Sequence, residues 1–419
     1  MKREIETLII GGGAIGICCA FYLNELGKNV AVVEKDDICA GSSYGNAGLV
    51  VPSHSMPLAA PGVLFQGLKW MFDPQSPFYI KPRLQRDLLS WLWQFRGACS
   101  RTHVRKAVPV MRDLGLASRD LFDELAALED LDFDFAPTGK LDIFNTHKGF
   151  DKAVEEARLL QQYGVETRIQ EPAQLAQFFP GMRTTAVGGV LCPRDAWLHP
   201  DRFVHQLARH VETRGVRMLT AVEVLGFESA GRTVTRVKTT RGDLSVKEVI
   251  LAGGCWSAEL MRELKIRLLL EPAKGYSITY KRPQRCPAIP LMLAEAAIAV
   301  TPMTDRLRFA GTLELAGFDL SINWRRVQAI VQAVPAYLPD LDPDSLELVE
   351  IWRGLRPCSP DGLPYLGRPA GYDNVIVATG HGTLGISLAP ITGKIVSLLA
   401  ANKKLPMDIS ALGLERFHS

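Results

Sequence analysis

The sequence predicts an α/β fold in which a parallel-sheet unit is interleaved with a second, α+β domain built on a mixed sheet. Three observations carry that expectation. The first is an apolar run at residues 5–10, followed at once by Gly11-Gly12-Gly13-Ala14-Ile15-Gly16, a helix-compatible stretch and a second apolar run at 29–33. The second is a repeat of this order near the other end. There Val375-Ile376-Val377-Ala378 leads into Thr379-Gly380-His381-Gly382-Thr383-Leu384-Gly385 and a helix-compatible segment at 386–401. The third is length: 419 residues, at about 150 per domain, hold two or three domains.

Taken in order, the N-terminal residues have distinct tasks. Gly11 permits a tight turn, Gly13 lets the backbone approach a pyrophosphate, and Gly16 lets the helix pack close to the strand. Ala14 and Ile15 open a helix whose free N–H groups and partial positive charge face the phosphates, and Gly27 closes it. Glu34 stands 18 residues beyond Gly16, at the end of the second strand, to accept hydrogen bonds from a ribose. A carboxylate there favours FAD or NAD over NADP, whose 2′-phosphate it would repel. This is the Rossmann-type arrangement. The loop at 35–48, with Lys35, Ser42, Ser43, Asn46, Ala47 and Gly48, is rich in Gly, Ser and Asn. It suits a second phosphate or the ribityl chain of a flavin. The loop from Gly380 to Gly385 offers another helix N-terminus, and a flavin is long enough to use both ends of the chain.

Composition narrows the function classes. Lys and Arg number 48 against 45 Asp and Glu, a net charge of +3, with 47% hydrophobic and 22% charged residues. Such a chain builds a large core, which excludes disordered, coiled-coil and small disulfide-stapled classes. Three net charges over this length also argue against nucleic acid as a partner. The eight cysteines contain no CxxC and no dense cluster, so neither a disulfide framework nor a metal site is expected. Residues 8–23 carry no charge and follow Lys2 and Arg3, as in a signal peptide, but Glu4 and Glu6 cancel those charges and four glycines interrupt the run. The run is also shorter than the roughly 20 residues of a membrane span. A cytoplasmic chain, at most peripheral to the inner face of the cell membrane, is expected. Mean hydropathy is +0.06, consistent with buried parallel strands.

With these motifs and the segment Gly354-Leu-Arg-Pro-Cys-Ser-Pro-Asp-Gly362, the chain resembles the D-amino-acid oxidase superfamily of flavoproteins. Within it, the chain is most similar to the bacterial D-amino-acid dehydrogenase small-subunit group, through Asn46-Ala-Gly48, Pro57-Leu-Ala-Ala-Pro-Gly62, Leu68-Lys-Trp-Met71 and the 380–385 loop. The resemblance implies non-covalent FAD; Cys358 falls too late to match the cysteine that links flavin in sarcosine oxidases. It implies that Arg356 clamps a substrate carboxylate, a task that suits a planar two-donor guanidinium. Arg353, three residues earlier, is expected on the opposite strand face as an ordinary ion-pair residue. It further implies that Val222 holds the adenine through its backbone and that His381 contributes its backbone beside the flavin. Tyr276 has two open roles, holding the carboxylate or amine and packing in the core. His54 either lines the pocket opposite the ring or is a plain loop residue.

The implied reaction oxidises a D-amino acid by hydride transfer from the α-carbon to flavin N5. Hydrolysis of the imino acid then yields a 2-oxo acid and ammonia, and the electrons pass to oxygen or a quinone. Two alternatives remain open: oxidation of a secondary amine or imino acid such as D-proline, hydroxyproline, sarcosine or glycine, and a non-catalytic flavin-binding subunit. The expected domains are 1–80, 185–262 and 350–419 for FAD, and 81–184 with 263–349 for substrate. Helical patterning after Pro200 runs from 201 to 214, a strand follows at 216–220, and alternation over 222–240 predicts a hairpin meander. The segment 70–93 carries Trp70, Phe72, Phe78, Tyr79, Trp91 and Trp93 among Lys69, Lys81, Arg83 and Arg86. Packing over the pocket is the favoured role, with a membrane- or partner-facing surface as the alternative.

Overall fold

The run Ile5–Ile10 becomes an inner strand because it has apolar neighbours on both faces. A computed structural model describes residues 5–71 and 76–417; Lys2, Arg3, Glu4 and Phe72 lie outside the described residues. Ile5–Ile10 pairs in parallel with Val30–Val33 on one side and Leu244–Leu251 on the other. Arg217–Leu219 extends the sheet beyond Val30–Val33, and Val375–Thr379 runs parallel to the end of Leu244–Leu251. Successive side chains of a strand point to opposite faces, and the cores divide accordingly. Ile9, Val32, Ile250 and Ile376 pack under the helices Ala14–Glu25, Pro200–Thr213 and Ala389–Ala400. Leu8, Ile10, Val33, Val249, Leu251 and Val377 face the antiparallel meander of Val224–Ala230 and Thr233–Thr239, which contributes Val234 and Val237. Strands buried on both faces read as continuous apolar runs, which is why they were recognisable. The C-terminal helix begins three residues later than its sequence pattern, because residues 382–384 first form a 3-10 turn. Gly393 lets this helix approach the backbone of Cys18, where a Cβ would sit 2.5 Å from its carbonyl.

The second sheet is mixed. Its order is Leu348–Cys358, Glu271–Lys281, Arg306–Leu315, Ile298–Pro302, Leu291–Leu293, Lys140–Phe144, Gly188–Cys192 and Arg168–Gln170, with Phe78–Ile80 beside Arg306–Leu315. Three of these strands, 78–80, 188–192 and most of 348–358, fall in segments expected to belong to the FAD domain. The helix Arg101–Ala126, expected in the substrate domain, instead buries Met111, Leu114, Phe122 and Leu125 in the core of the first sheet. The boundaries at 80, 185 and 350 therefore do not coincide with the sheets. Apolar alternation marks a strand but does not say which distant partner accepts it.

The aromatic segment divides in the same way. Trp91 and Phe95 are buried and stacked, and Trp91 Nε1 donates to the Cys358 carbonyl at 2.8 Å, while Trp93 stands exposed. Among the described residues, no helix is long and apolar enough to cross a membrane, and all eight cysteines are free thiols.

Arg308 ties the two sheets together. Its guanidinium is fully buried, with Nε donating to Thr279 Oγ1 at 3.0 Å and Nη1 donating to the Asn46 carbonyl at 2.7 Å. Thr301 Oγ1 adds a 2.8 Å bond to the Ala47 carbonyl. The loop of residues 44–47 is thus held by side chains of the second sheet. Replacing Arg308 by Met leaves these buried acceptors unpaired, at about 1–3 kcal/mol for each group. Arg308→Met is expected to lower Tm by several degrees and to weaken FAD retention, measured by thermal scanning and by flavin released on gel filtration.

Candidate active site

A cavity of about 1250 Å³ runs between the two sheets, lined by the glycine turn, residues 40–43 and 45–47, the second sheet and the C-terminal loop. Its nucleotide end is built by close backbone approach. Gly11 has φ +114°, and a Cβ there would meet the Ala252 carbonyl; a Cβ on Gly16 would run into the Gly11 carbonyl oxygen. Any side chain at 16 would lift the helix off the strand. Gly11, Gly13, Ala14 and Ile15 line the cavity, whereas Gly16 lies behind them as a packing position. The Ala14 N–H donates to Ser43 Oγ at 3.0 Å, so the loop hydroxyl sits at the helix N-terminus.

Glu34 is oriented by backbone donors. Its carboxylate accepts from the Gly12 N–H at 2.7 Å and the Asp36 N–H at 3.1 Å, and the Val222 N–H donates to the Glu34 carbonyl at 2.9 Å. Lys35 places its ammonium 3.7 Å from the centre of the Trp256 ring, and Glu34, Lys35, Val222 and Trp256 share one wall. Trp256 carried no motif in the sequence; only the fold brings it here. Ser42, Ser43, Asn46 and Ala47 line the cavity, but Gly48 does not. Gly48 is glycine because φ is +75° and a Cβ would collide with the Leu198 carbonyl. Its expected cofactor contact is therefore replaced by a turn constraint.

The loop Gly380, His381, Gly382, Thr383, Leu384 and Gly385 closes the cavity from the other end of the chain. The His381 ring points away, with Nε2 3.0 Å from Thr392 Oγ1, and burial lowers its pKa to about 3. Cys358 bridges to His381 through backbone. Burial pushes its thiol up to about 12, against the opposing pull of Arg356.

Arg356 enters the cavity from the strand Leu348–Cys358. Its guanidinium crosses Gly275, where a Cβ would strike it, and Nη1 donates to the Thr312 carbonyl at 2.6 Å. Among the described residues no carboxylate pairs with it. Burial lowers its pKa, yet a guanidinium stays protonated at neutral pH. Trp352 lies on the same strand face, flat over Gly354 and against Gly45. Arg353 makes no ion pair among the described residues; its Nε donates to the Leu320 carbonyl at 3.0 Å. Tyr276 takes the core role. It pairs with Arg353 rather than with Arg356, and its hydroxyl donates to Glu314 Oε2 at 2.7 Å and accepts from the Asn323 N–H at 3.2 Å. One residue of register sends a side chain to the other face of a sheet, so Tyr276 does not reach the cavity.

His54 does reach it. Asp195 fixes its loop, accepting from the Ser53 N–H at 3.1 Å and Ser53 Oγ at 2.6 Å. The ring is exposed to the open cavity; desolvation by the surrounding walls, then Lys140, lowers the His54 pKa, and Asp142 opposes them.

These residues fit a dinucleotide-length cofactor: a glycine cradle that a Cβ would fill, a carboxylate oriented for a ribose, and a second glycine loop beyond. The profile of the DAO family, FAD dependent oxidoreductase, matches residues 6–399. The chain belongs to this family. Its cofactor is FAD. Curated relatives include a D-amino acid dehydrogenase of Granulibacter bethesdensis, 32% identical over 99% of this chain and 100% of that one. A D-amino acid dehydrogenase of Bradyrhizobium diazoefficiens is also 32% identical, over 99% of both chains. A solved glycine oxidase from Geobacillus kaustophilus shares the fold, with TM-score 0.80 at 22% identity over 99% of each chain. In this DAO-family chain, the Gly11–Gly16 turn and Ser43 would hold the pyrophosphate, Glu34 the ribose, and the 380–385 loop the flavin end.

The buried His381 has a stability consequence. An unfolded histidine takes up its proton near pH 6.5, whereas folded His381 resists until about pH 3. The unfolded state therefore binds more protons across this window, so the stabilisation present above pH 6.5 is lost as pH falls towards 3, at roughly 1.4 kcal/mol per pH unit. His199, pushed to about 4 mainly by burial, contributes in the same direction. Tm is expected to fall with pH below 6.5, and the slope to flatten in His381→Asn, measured by thermal scans of the holoenzyme.

Proposed function

We propose that this enzyme oxidises D-amino acids at the α-carbon, giving an imino acid that water hydrolyses to a 2-oxo acid and ammonia. One observation carries the reading: the Arg356 guanidinium projects into the cavity with no carboxylate partner among the described residues. A half-buried cation without a counter-charge is costly unless a ligand supplies one. A carboxylate matches its planar pair of N–H donors. Bound FAD supplies the acceptor for the two electrons and hydrogen leaving the α-carbon.

The chain's own task is orientation. Gly275 clears the path for Arg356, and the Thr312 carbonyl holds one of its nitrogens, leaving the outer donors for the substrate. His54 lines the same cavity, and its lowered pKa disfavours a positive charge that would repel a substrate ammonium. The high pKa of Cys358 keeps it a thiol, which supports non-covalent FAD because the thiolate is the nucleophile. The D configuration is supported by the names of the curated relatives.

Anaerobic mixing with D- and L-amino acids and with secondary amines tests the reading. Flavin bleaching by D-amino acids and not by their L enantiomers is expected. Arg356→Ala is expected to lower kcat/KM by about a hundredfold or more, since it removes a charge-assisted bidentate contact. Retention of wild-type kcat/KM by that variant would overturn the carboxylate assignment.

The electrons pass, in this reading, to a quinone reached at a membrane surface. The helix Arg86–Ala98 buries Leu88, Trp91 and Phe95 while exposing Arg86, Leu89, Trp93 and Arg96, whose spacing puts them on one side. Exposed Leu84 precedes this helix. Apolar and basic side chains on one helix face favour an anionic bilayer interface. Sedimentation with anionic phospholipid vesicles is expected for the holoenzyme and is expected to weaken severalfold in Trp93→Ser; no sedimentation by the wild type would refute the contact.

A further inference from the structure

The cavity does not end at Arg356. Across the second sheet, Ala310 pairs with Ala299, Ala299 with Met292, and Met292 with Asp142. All four line the cavity. Adjacent strands lie about 4.8 Å apart, so the three intervals from the Thr312 strand to the Asp142 strand cover about 14 Å. The wall between, Ala310, Ala299 and Met292, is apolar. At its far side stand Lys140, Asp142 and His54.

This far end is built and charged. Lys140 is nearly fully buried, paired with Asp142 and lying 3.9 Å from Asp195. Burial works against the Lys140 charge, but Asp142, Cys192 and Asp195 outweigh it and hold its pKa above the ordinary range. Asp195 is shut away from solvent, and burial pushes its carboxyl up to about 6 against the pull of Lys140 and Ser53. It is therefore mostly ionised at pH 7.5. Asp142 keeps 27% of its side chain exposed, which makes it the member of the group available to a ligand. The count is one ammonium against two carboxylates, beside the His54 ring. Nearby, Lys152 and Glu156 pair with each other. Glu295 is occupied by Asn145, Thr146 and Tyr337.

We infer that Asp142, backed by Lys140 and Asp195, is a specificity-determining residue that receives the cationic end of a long substrate side chain. The inference rests on the amino-acid oxidation proposed above, with Arg356 holding the carboxylate. A lysine- or arginine-length side chain spans a gap of this order along the Ala310–Ala299–Met292 wall. An acidic side chain would compete with Asp142 for Lys140 and face the charge of Asp195. An aliphatic one of equal length would leave Asp142 with no new partner for the water it gives up.

The test is anaerobic flavin bleaching of the holoenzyme by D-lysine, D-arginine, D-norleucine and D-glutamate. The second-order bleaching constant for D-lysine is expected to exceed that for D-norleucine at least tenfold, with D-glutamate slowest. Asp142→Asn, which keeps the shape and can still bond Lys140, is expected to reduce the D-lysine to D-norleucine ratio at least tenfold. If D-norleucine matches D-lysine in the wild type, or the ratio is unchanged in the variant, the subsite is overturned while the amino-acid activity stands. If no D-amino acid bleaches the flavin, both proposals fall.

Discussion

The contact between Gly16 and the Gly11 carbonyl governs much of this molecule. A Cβ on Gly16 would separate the first helix from the first strand. Because nothing intervenes, the helix N-terminus, the Glu34 carboxylate and the Ser43 hydroxyl converge on one small region. Partial charge from the helix falls off within its first turn, so a helix displaced by one side chain would no longer present its N–H groups there. The Gly11–Ala252 approach does the same for the neighbouring strand, aligning the C-terminal ends of Ile5–Ile10 and Leu244–Leu251.

The second sheet uses missing side chains for another purpose. Gly275 and Gly354 pair across adjacent strands, leaving a flat strip on which Arg356 and Trp352 lie nearly against the backbone. Arg356 can then cross one strand and bond a carbonyl on the next. Its donors are held by geometry before any ligand arrives, which lowers the ordering cost of binding. Arg308 and Thr301 extend the same sheet toward the cofactor loop through the Asn46 and Ala47 carbonyls. The Arg356 side of the cavity and the loop at 44–47 are thus positioned by one sheet, and a shift in that sheet would move both.

Local chemistry was readable where short-range order does the work. The glycine turn with Glu34, the small-residue loop and the C-terminal glycine loop each combine strand, turn and helix within a few dozen residues, and the cavity gathers nearly all of them. Tyr276 and Arg356 sit on strands that a sequence can recognise. Which side of the sheet each one faces depends on a register shared with a partner about eighty residues away. The same limit explains Gly48, whose glycine answers to the Leu198 carbonyl and not to the cofactor. It also explains why the strands at 78–80, 188–192 and 348–358 join a sheet that their neighbours in sequence do not.

The amino-acid sequence alone carries the α/β class, the dinucleotide turn, and, through Glu34, a preference for FAD or NAD over NADP. Those follow from backbone demands and residue chemistry that act over a few positions. The three-dimensional arrangement selects the rest: the freedom of Arg356 from any carboxylate among the described residues, the withdrawal of Tyr276, the clamp by Arg308 and the meeting of Lys140, Asp142 and Asp195 near His54. Each depends on groups brought together by the packing of strands and loops from different parts of the chain. There, burial and pairing, more than residue identity, set charge and contact.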